Sequence, residues 1–464
     1  MIWINIDRSK DVSLIGQVYD GLRMKILNRE LEAGEKIPST RMLSQELKVS
    51  RNIILQAYEH LISEGYLESR EGSGTYVAKG TSLERIGSGY IHDHAVPGND
   101  NKKNAIKKID FVSGTPDLKM FPRIWWSRCM KEACLDASSD LLNYSSPEGI
   151  YDLRSSLSKL LLKTKGIRCN PQQVIILSGS IEGFLLTSRL ATNHNMIIIE
   201  DPSYYAIRDI LETMKINLFP ASCDNRGMNV DKLPENVKSD FIIVTSHHFP
   251  LGGVLTIQRR IKLIEYSRRN DIYIIENDYD GEFRYTGQPV SSLHLLDRER
   301  VIHIGTFSES MYPGIRLGYM IVPEKKLKEF VVMKETLGLV RSSIEQMAMS
   351  YFIKRGYFER HLEKMKRLYR KKRELLISSL TDCFGNEVRI SGDSTGLYVI
   401  AEFSGYKFND ALVKKIEDNG VLVYPVKDHY FKKGRCTGKL IMGYGNLDAD
   451  EIVTGIKKMK DAMR

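Results

Sequence analysis

The sequence predicts two unlike bodies in one chain: a small helical unit closed by a β-hairpin, then a larger α/β body with a parallel sheet, finished by a smaller α+β unit. Three observations carry this. Apolar residues repeat at helical spacing within the first 80 residues, a polar stretch follows, and from Ile109 short branched apolar runs recur between helical stretches. A length of 464 residues suits two to four domains. The 42% hydrophobic and 27% charged content exclude collagen-like, disordered and small disulfide-stapled chains. No apolar run reaches the roughly 18 residues of a membrane span. The start, Met1 to Asp7, lacks the basic and apolar regions of a secretory signal. The 6 cysteines form no C-x-x-C pair and read as reduced thiols of a cytoplasmic protein. Lys+Arg of 68 against Asp+Glu of 58 gives +10, an excess that permits a nucleic-acid partner.

The first unit assembles in chain order. Leu14, Val18, Leu22 and Ile26 mark a helix that Gly34 and Pro38 end. Ser39 is positioned to cap a second helix with Met42, Leu43 and Leu47, and Ser50 a third with Ala57, Leu61 and Ile62 inward. Tyr66 to Arg70 and Thr75 to Val77 flank the turn Gly72-Ser73-Gly74 as a hairpin. Three helices and a hairpin make a winged helix-turn-helix over 1–78. In that geometry Ser50, Arg51 and Asn52 open the recognition helix, where Arg51 reaches guanine edges or phosphate and Asn52 reads adenine. Ser39, Thr40 and Arg41 face phosphate, and Gly72, Ser73 and Gly74 let the wing approach the minor groove. Residues 1–80 hold 11 Lys/Arg and 11 Asp/Glu, so DNA binding rests on local placement and not on bulk charge.

Residues 79–108, polar and without steady period, read as a linker that spans roughly 30 Å as a flexible coil. Beyond it Val174–Leu177, Met196–Ile199, Phe241–Val244 and Ile272–Ile275 are buried strands of a parallel sheet covered on both faces. The large domain is taken as 109–375 and the small C-terminal subdomain as 376–464. Within 354–373, ten Lys and Arg residues crowd one helical stretch, by default a solvated face and alternatively a guide for DNA.

The stretch Ala33 to Arg41, Val49-Ser50-Arg51-Asn52 and the Gly65 to Val77 hairpin resemble the GntR-type winged-helix domain. Phe111 to Asp117, Tyr144 to Gly149, Gly179 to Gly183, Glu200 to Tyr204, His247 to Gly252, Glu276 to Asp280 and Gly305 to Glu309 with Arg316 to Tyr319 follow in the order of a fold-type-I aminotransferase. Together they resemble MocR-type regulators, in which a GntR-type reader is joined to a fold-type-I pyridoxal 5′-phosphate-dependent transferase-like domain. The resemblance implies that Gly179, Ser180 and Ile181 offer backbone N–H groups to the cofactor phosphate, with Ser308 and Arg316 beside them. It implies that Tyr144 reaches the phosphate across a homodimer, Tyr204 stacks on the ring and Tyr279 faces the ring hydroxyl.

Three positions depart from that pattern. Glu309 stands where the family carries the Schiff-base lysine, and a carboxylate forms no imine. The next lysine, Lys325, falls beyond the strand ending near Val322. Asn277 stands where the family has the aspartate that pairs with the pyridinium nitrogen, which weakens the electron sink. His248 stands where the family often has glutamine. The expectation is therefore a DNA-binding regulator, cytoplasmic and homodimeric, with no catalytic residue and no metal. Its degenerate aminotransferase-like domain would sense an amino acid, an amine or a pyridoxal derivative, with the cofactor bound non-covalently or lost. The alternatives are a working aminotransferase with a DNA module, and a constitutive DNA-binding dimer with a scaffold-only large domain.

Overall fold

The computed structural model describes residues 4–9, 12–81, 108–235, 237–285, 291–392, 395–432 and 434–464, so the expected linker lies outside the described residues except at its ends. The described residues fall into two compact units, one within Met1–Ala105 and one within Ile106–Arg464.

In the first unit the helices Leu14–Leu27, Thr40–Glu46 and Arg51–Ser63 precede the strands Leu67–Arg70 and Gly74–Val77, which pair antiparallel from Leu67–Val77 to Arg70–Gly74. Ser39 Oγ accepts the Met42 N–H at 3.3 Å, the cap its position predicts. Ser50 occupies the N-cap position of the third helix but makes no side-chain cap bond. Val18, Leu22, Ile26, Leu43, Ile54, Ala57, Leu61, Leu67 and Val77 close one core. Ile62, expected inward, is 37% exposed, and Met42 of the second helix is 60% exposed. Each is a direct neighbour of a buried leucine, and the roughly 100° step per residue turns it off the buried stripe.

The second unit is built on an eight-stranded sheet with the order Val174–Leu177, Gly318–Ile321, Val301–Thr306, Tyr273–Asp278, Phe241–Thr245, Met196–Asp201, Asn217–Asp224, Gly227–Met228. The five strands from Val301–Thr306 to Asn217–Asp224 are parallel, as their apolar runs predict. The sheet is nevertheless mixed. Gly318–Ile321 runs antiparallel to both neighbours, and Gly227–Met228 is antiparallel at the edge. The connection from Thr306 to Gly318 is too short for the helical crossover that a parallel return needs. Each face is covered by its own apolar cluster, one around Ile175, Phe184 and Ile275, the other around Ile198, Leu263 and Ile274.

The smaller α+β unit carries an antiparallel sheet in the order Val388–Ser391, Tyr398–Phe403, Lys439–Gly443, Tyr424–Pro425. The helix Tyr357–Phe384 passes through position 375 without a break, because Met365, Tyr369, Leu376 and Leu380 continue one buried stripe. Ile109–Asp110 pairs in parallel with Val421–Leu422, so the first strand of the body lies against its last part. Of the basic stretch, Lys372 is buried, while Lys354, Arg355 and Arg360 stay exposed but find partners on neighbouring elements. Lys372 Nζ binds Asp117 at 2.8 Å, Arg355 pairs with Glu132, Lys354 Nζ pairs with Asp152 at 2.8 Å, and the Arg360 guanidinium lies 4.9 Å from the Tyr357 ring centroid. Among the described residues no helix is long and apolar enough to cross a membrane.

Candidate functional site

Two sites emerge, one in each unit. In the first, Ser39, Arg41, Ser50, Arg51 and Asn52 are exposed and Thr40 is half-buried. The Arg51 Nε donates to Thr40 Oγ1 at 3.3 Å, which ties the start of the third helix to the start of the second. Two helix N-termini with free hydroxyls and two arginines are a ready anion surface. At the wing Gly72, Ser73 and Gly74 are exposed, and Gly72 and Gly74 have φ of 72° and 116°. That left-handed backbone forms the turn without a Cβ penalty. Lys36 and Arg70 were not singled out by the sequence, yet both flank the wing. Their cationic groups lie 5.8 Å and 4.3 Å from the Tyr76 ring centroid. Alternation along Leu67–Arg70 would have put Arg70 on the exposed face.

In the second unit the resemblance-derived residues converge at one edge of the sheet. Ser178-Gly179, Pro202 to Tyr204, His247, Tyr279 and Ser308-Glu309 each follow the carboxyl end of a strand, where α/β sheets bind ligands. Gly179 has φ of 112° and N-caps the helix Ser180–Leu190 without a side-chain cap. A Cβ there would lie 3.5 Å from the Arg316 guanidinium. Arg316 is itself left-handed at φ 47°, an uncommon state for a residue with a Cβ, and this bend turns its side chain toward Gly179. Ser308 Oγ accepts from Thr306 Oγ1 at 3.0 Å. A helix N-terminus, a hydroxyl and a guanidinium suit a phosphate.

The other end of the pocket differs in kind. Glu309 is 8% exposed, its Oε2 has no hydrogen-bond partner, and Oε1 lies 3.0 Å from where a Gly114 Cβ would stand. Burial, helped by Asp280 and Glu282, raises its pKa well above the usual carboxylate range. Its field reaches Tyr204, Tyr279 and Tyr398, and burial lifts Tyr204 to about 12. Tyr279 Oη lies 3.4 Å from Tyr398 Oη and donates to the His247 carbonyl at 3.2 Å. His247 Nδ1 is 2.7 Å from Asp280 Oδ2. Asn277 is 5% exposed with Oδ1 unpartnered. Its neighbours Glu276 and Asp278 both face His303, at 3.1 and 3.8 Å, so alternation puts Asn277 on the opposite sheet face, that of the Ser180–Leu190 helix.

One expectation changes here. A lysine does approach the lower carboxylates: Lys165, remote in sequence, places Nζ 2.6 Å from Asp278 and 2.8 Å from Glu282. It is paired there, on the face away from Asn277. Tyr144 is fully exposed, away from these groups in the single chain. Tyr398, Asp280 and His247 were not singled out from sequence, because no local pattern ties residues so far apart.

The phosphate end of this pocket fits pyridoxal 5′-phosphate, while the carboxyl at 309 offers no amine to its aldehyde. Comparison with known proteins places both units. The family pattern "Bacterial regulatory proteins, gntR family" matches residues 14–77, and "Aminotransferase class I and II" matches residues 106–440. The HTH-type transcriptional regulator YdeL of Bacillus subtilis is 32% identical over 99% of this chain and 98% of its own length. MocR of Rhizobium meliloti, named for regulation of rhizopine catabolism, is 29% identical over 98% of this chain and 95% of its own. An archaeal alanine:glyoxylate aminotransferase superposes with a TM-score of 0.72 at 25% identity, over 78% of this chain and 92% of its own. Its fold family normally binds pyridoxal 5′-phosphate. The reader at the N-terminus and the transferase-like body that follows it therefore make this chain a member of the MocR-like HTH-type transcriptional regulators, a GntR-type winged helix fused to a class I and II aminotransferase domain.

Proposed function

We propose that this regulator acts as a homodimer whose transferase-like body holds a phosphorylated amine or pyridoxal derivative without a covalent bond, and uses it to bias operator binding. The carrying observation is Glu309, a buried carboxyl with an unpartnered oxygen whose field reaches Tyr204, Tyr279 and Tyr398. A carboxyl cannot attach an aldehyde, but it pairs with a ligand ammonium group. When bound, a pyridoxal-type group would supply an aromatic ring and a phosphate for recognition. Gly179, Ser180, Ile181, Ser308 and Arg316 hold the phosphate, Tyr204 covers the ring, and Tyr279 faces the ring oxygen. Asn277 hydrogen-bonds the ring nitrogen but brings no charge, so it orients the ring without making it an electron sink. Fully exposed Tyr144 is free to complete the site of a second subunit.

In this reading 1–78 is the reader, 79–108 the linker, 109–375 the large domain and 376–464 the small subdomain. Ser39, Thr40, Arg41 and Ser50 grip phosphate, Arg51 and Asn52 read bases, and the wing Gly72, Ser73 and Gly74 follows the backbone. Dimerisation links two readers on two half-sites, which raises affinity beyond that of a single reader. The protein works inside the cytoplasm, where its operator is. A ligand shifts operator binding only if its affinity differs between the two arrangements of the readers.

The test uses the full-length protein and an operator selected from random duplexes. Arg51→Ala is expected to lose about 10- to 100-fold in operator affinity, as one bidentate base contact is worth ~1–3 kcal/mol. Pyridoxamine 5′-phosphate is expected to raise the melting temperature and shift operator affinity without being retained after denaturation. Unchanged affinity in Arg51→Ala removes that residue from the reader. Turnover with amino donors overturns the non-enzymatic reading.

A further inference from the structure

Beside this pocket lies a second group of chemically active side chains that the ligand reading does not use. Glu200 ends the strand Met196–Asp201, Cys223 lies on the neighbouring strand Asn217–Asp224, and His248 follows the strand Phe241–Thr245. A carboxylate oxygen, the thiol sulfur and an imidazole nitrogen all lie within 4.8 Å of one another. Glu200 and His248 are 3% and 1% exposed, and Cys223 is half-buried.

The hydrogen bonds around Glu200 and His248 leave one acceptor of each without a partner, while the Cys223 thiol donates to the Ala221 carbonyl at 3.5 Å. Thr245 donates both its N–H, at 3.0 Å, and its hydroxyl, at 2.7 Å, to Glu200 Oε2. That fixes the carboxylate and leaves Oε1 buried with no partner. His248 Nε2 lies 3.0 Å from the Pro202 carbonyl. A carbonyl only accepts, so the ring proton sits on Nε2 and the lone pair on Nδ1, which is likewise buried and unpartnered. A histidine held at one nitrogen by a carbonyl, with the other nitrogen bare, is the arrangement metal sites use to fix tautomer and ring direction. Two buried acceptors left without partners cost free energy unless a cation or a proton reaches them.

We propose that Glu200, Cys223 and His248 bind one divalent transition-metal ion of zinc-like softness. One sulfur, one nitrogen and one oxygen ligand suit such an ion, and three protein ligands leave the fourth tetrahedral position to water. Hard cations such as magnesium are disfavoured by the thiolate and imidazole. Metal–ligand bonds of about 2.0–2.3 Å put tetrahedral donors about 3.5 Å apart, so side-chain shifts of about 1 Å close the site. The ion would tie together three strand ends and, through the Pro202 carbonyl, the turn that carries Tyr204.

The experiment titrates cobalt(II), and separately zinc(II), into metal-stripped full-length protein without any pyridoxal compound. One equivalent of cobalt is expected to bind, with tetrahedral ligand-field absorption and a thiolate-to-cobalt charge-transfer band that zinc displaces. Cys223→Ser is expected to abolish the charge-transfer band, His248→Gln to weaken binding at least 10-fold, and Cys436→Ser to change neither. Circular dichroism checks that each variant is folded. Independently of any variant, zinc is expected to protect Cys223 from iodoacetamide while exposed Cys134 stays reactive, as read by peptide mass spectrometry. Absence of stoichiometric cobalt binding, or the same band in Cys223→Ser as in the wild type, overturns the proposal. In that case a proton shared between Glu200 and His248 fills the gap.

Discussion

The two ends of the large pocket teach different things. At one end the proposed anion cradle of Gly179, Ser180, Ser308 and Arg316 rests on backbone geometry, and two of its four residues owe their place to left-handed φ values. At the other end the chemistry depends on side-chain identity alone, and there a carboxyl and an amide, Glu309 and Asn277, lie buried, each with one unpartnered oxygen. Backbone cradles survive sequence change as long as glycine and the turn remain. A covalent anchor is lost with one residue. On the proposed reading, ligand binding and catalysis are separable properties of one site, and this chain keeps the residues for the first.

The sharpest way to break that comparison is Glu309→Lys. It is expected to turn a protein with no borohydride-fixable pyridoxal phosphate into one that retains about one equivalent per chain after reduction and denaturation. Turnover should stay poor until Asn277→Asp is added, and Asn277→Asp alone should attach nothing. Retention by the wild type would show that another lysine serves, with Lys165 the first to examine by peptide mapping. No uptake by Glu309→Lys would mean that the cradle end has also changed.

A smaller effect is expected at the cradle. Arg316→Ala removes a charged hydrogen-bond donor, worth ~1.5–3 kcal/mol, so pyridoxamine phosphate affinity should fall about 10- to 100-fold in calorimetry. Affinity for a pyridoxamine lacking the phosphate should hardly move. An equal loss for both ligands would mean that Arg316 shapes the pocket and does not grip phosphate.

The smallest effect concerns pH. Glu309 holds its proton in the folded state well above its ordinary value of 4.5, whereas the unfolded chain releases it near that value. Unfolding therefore frees a proton throughout the interval above 4.5, and rising pH favours the unfolded state. Glu309→Gln, which has no proton to lose, should melt progressively higher than the wild type as pH rises from about 5 to about 9. Parallel melting curves for the two proteins would show that Glu309 is ionised in the fold.

Both folds were legible because their signals are local. The recognition helix needed only a cap, an apolar stripe and an exposed Arg51-Asn52, and the buried strands needed only runs such as Phe241–Val244. The cradle was legible through the Gly179-Ser180 turn. Ile62 misled because a helical stripe is narrower than a list of apolar residues suggests. The mixed strand order around Gly318–Ile321 escaped because direction depends on how the chain returns. Within the basic stretch, Lys354, Arg355 and Lys372 met Asp152, Glu132 and Asp117 from distant elements, which no local pattern foretold.

The sequence by itself determined which chemistry is present: a reader with Arg51 and Asn52 at its tip, an uncapped glycine turn before a helix, and no lysine at position 309. These are properties of residue type and short-range spacing, so they exist before the chain folds. Only the tertiary structure decided which groups meet. It buried Glu309, paired Lys165 with Asp278 and Glu282, and gathered Glu200, Cys223 and His248 from two strands and the turn after a third. Those partners are 20 to more than 100 positions apart in the chain. Sheet order brings them together, and sheet order is set by packing over the whole core, which no local pattern encodes.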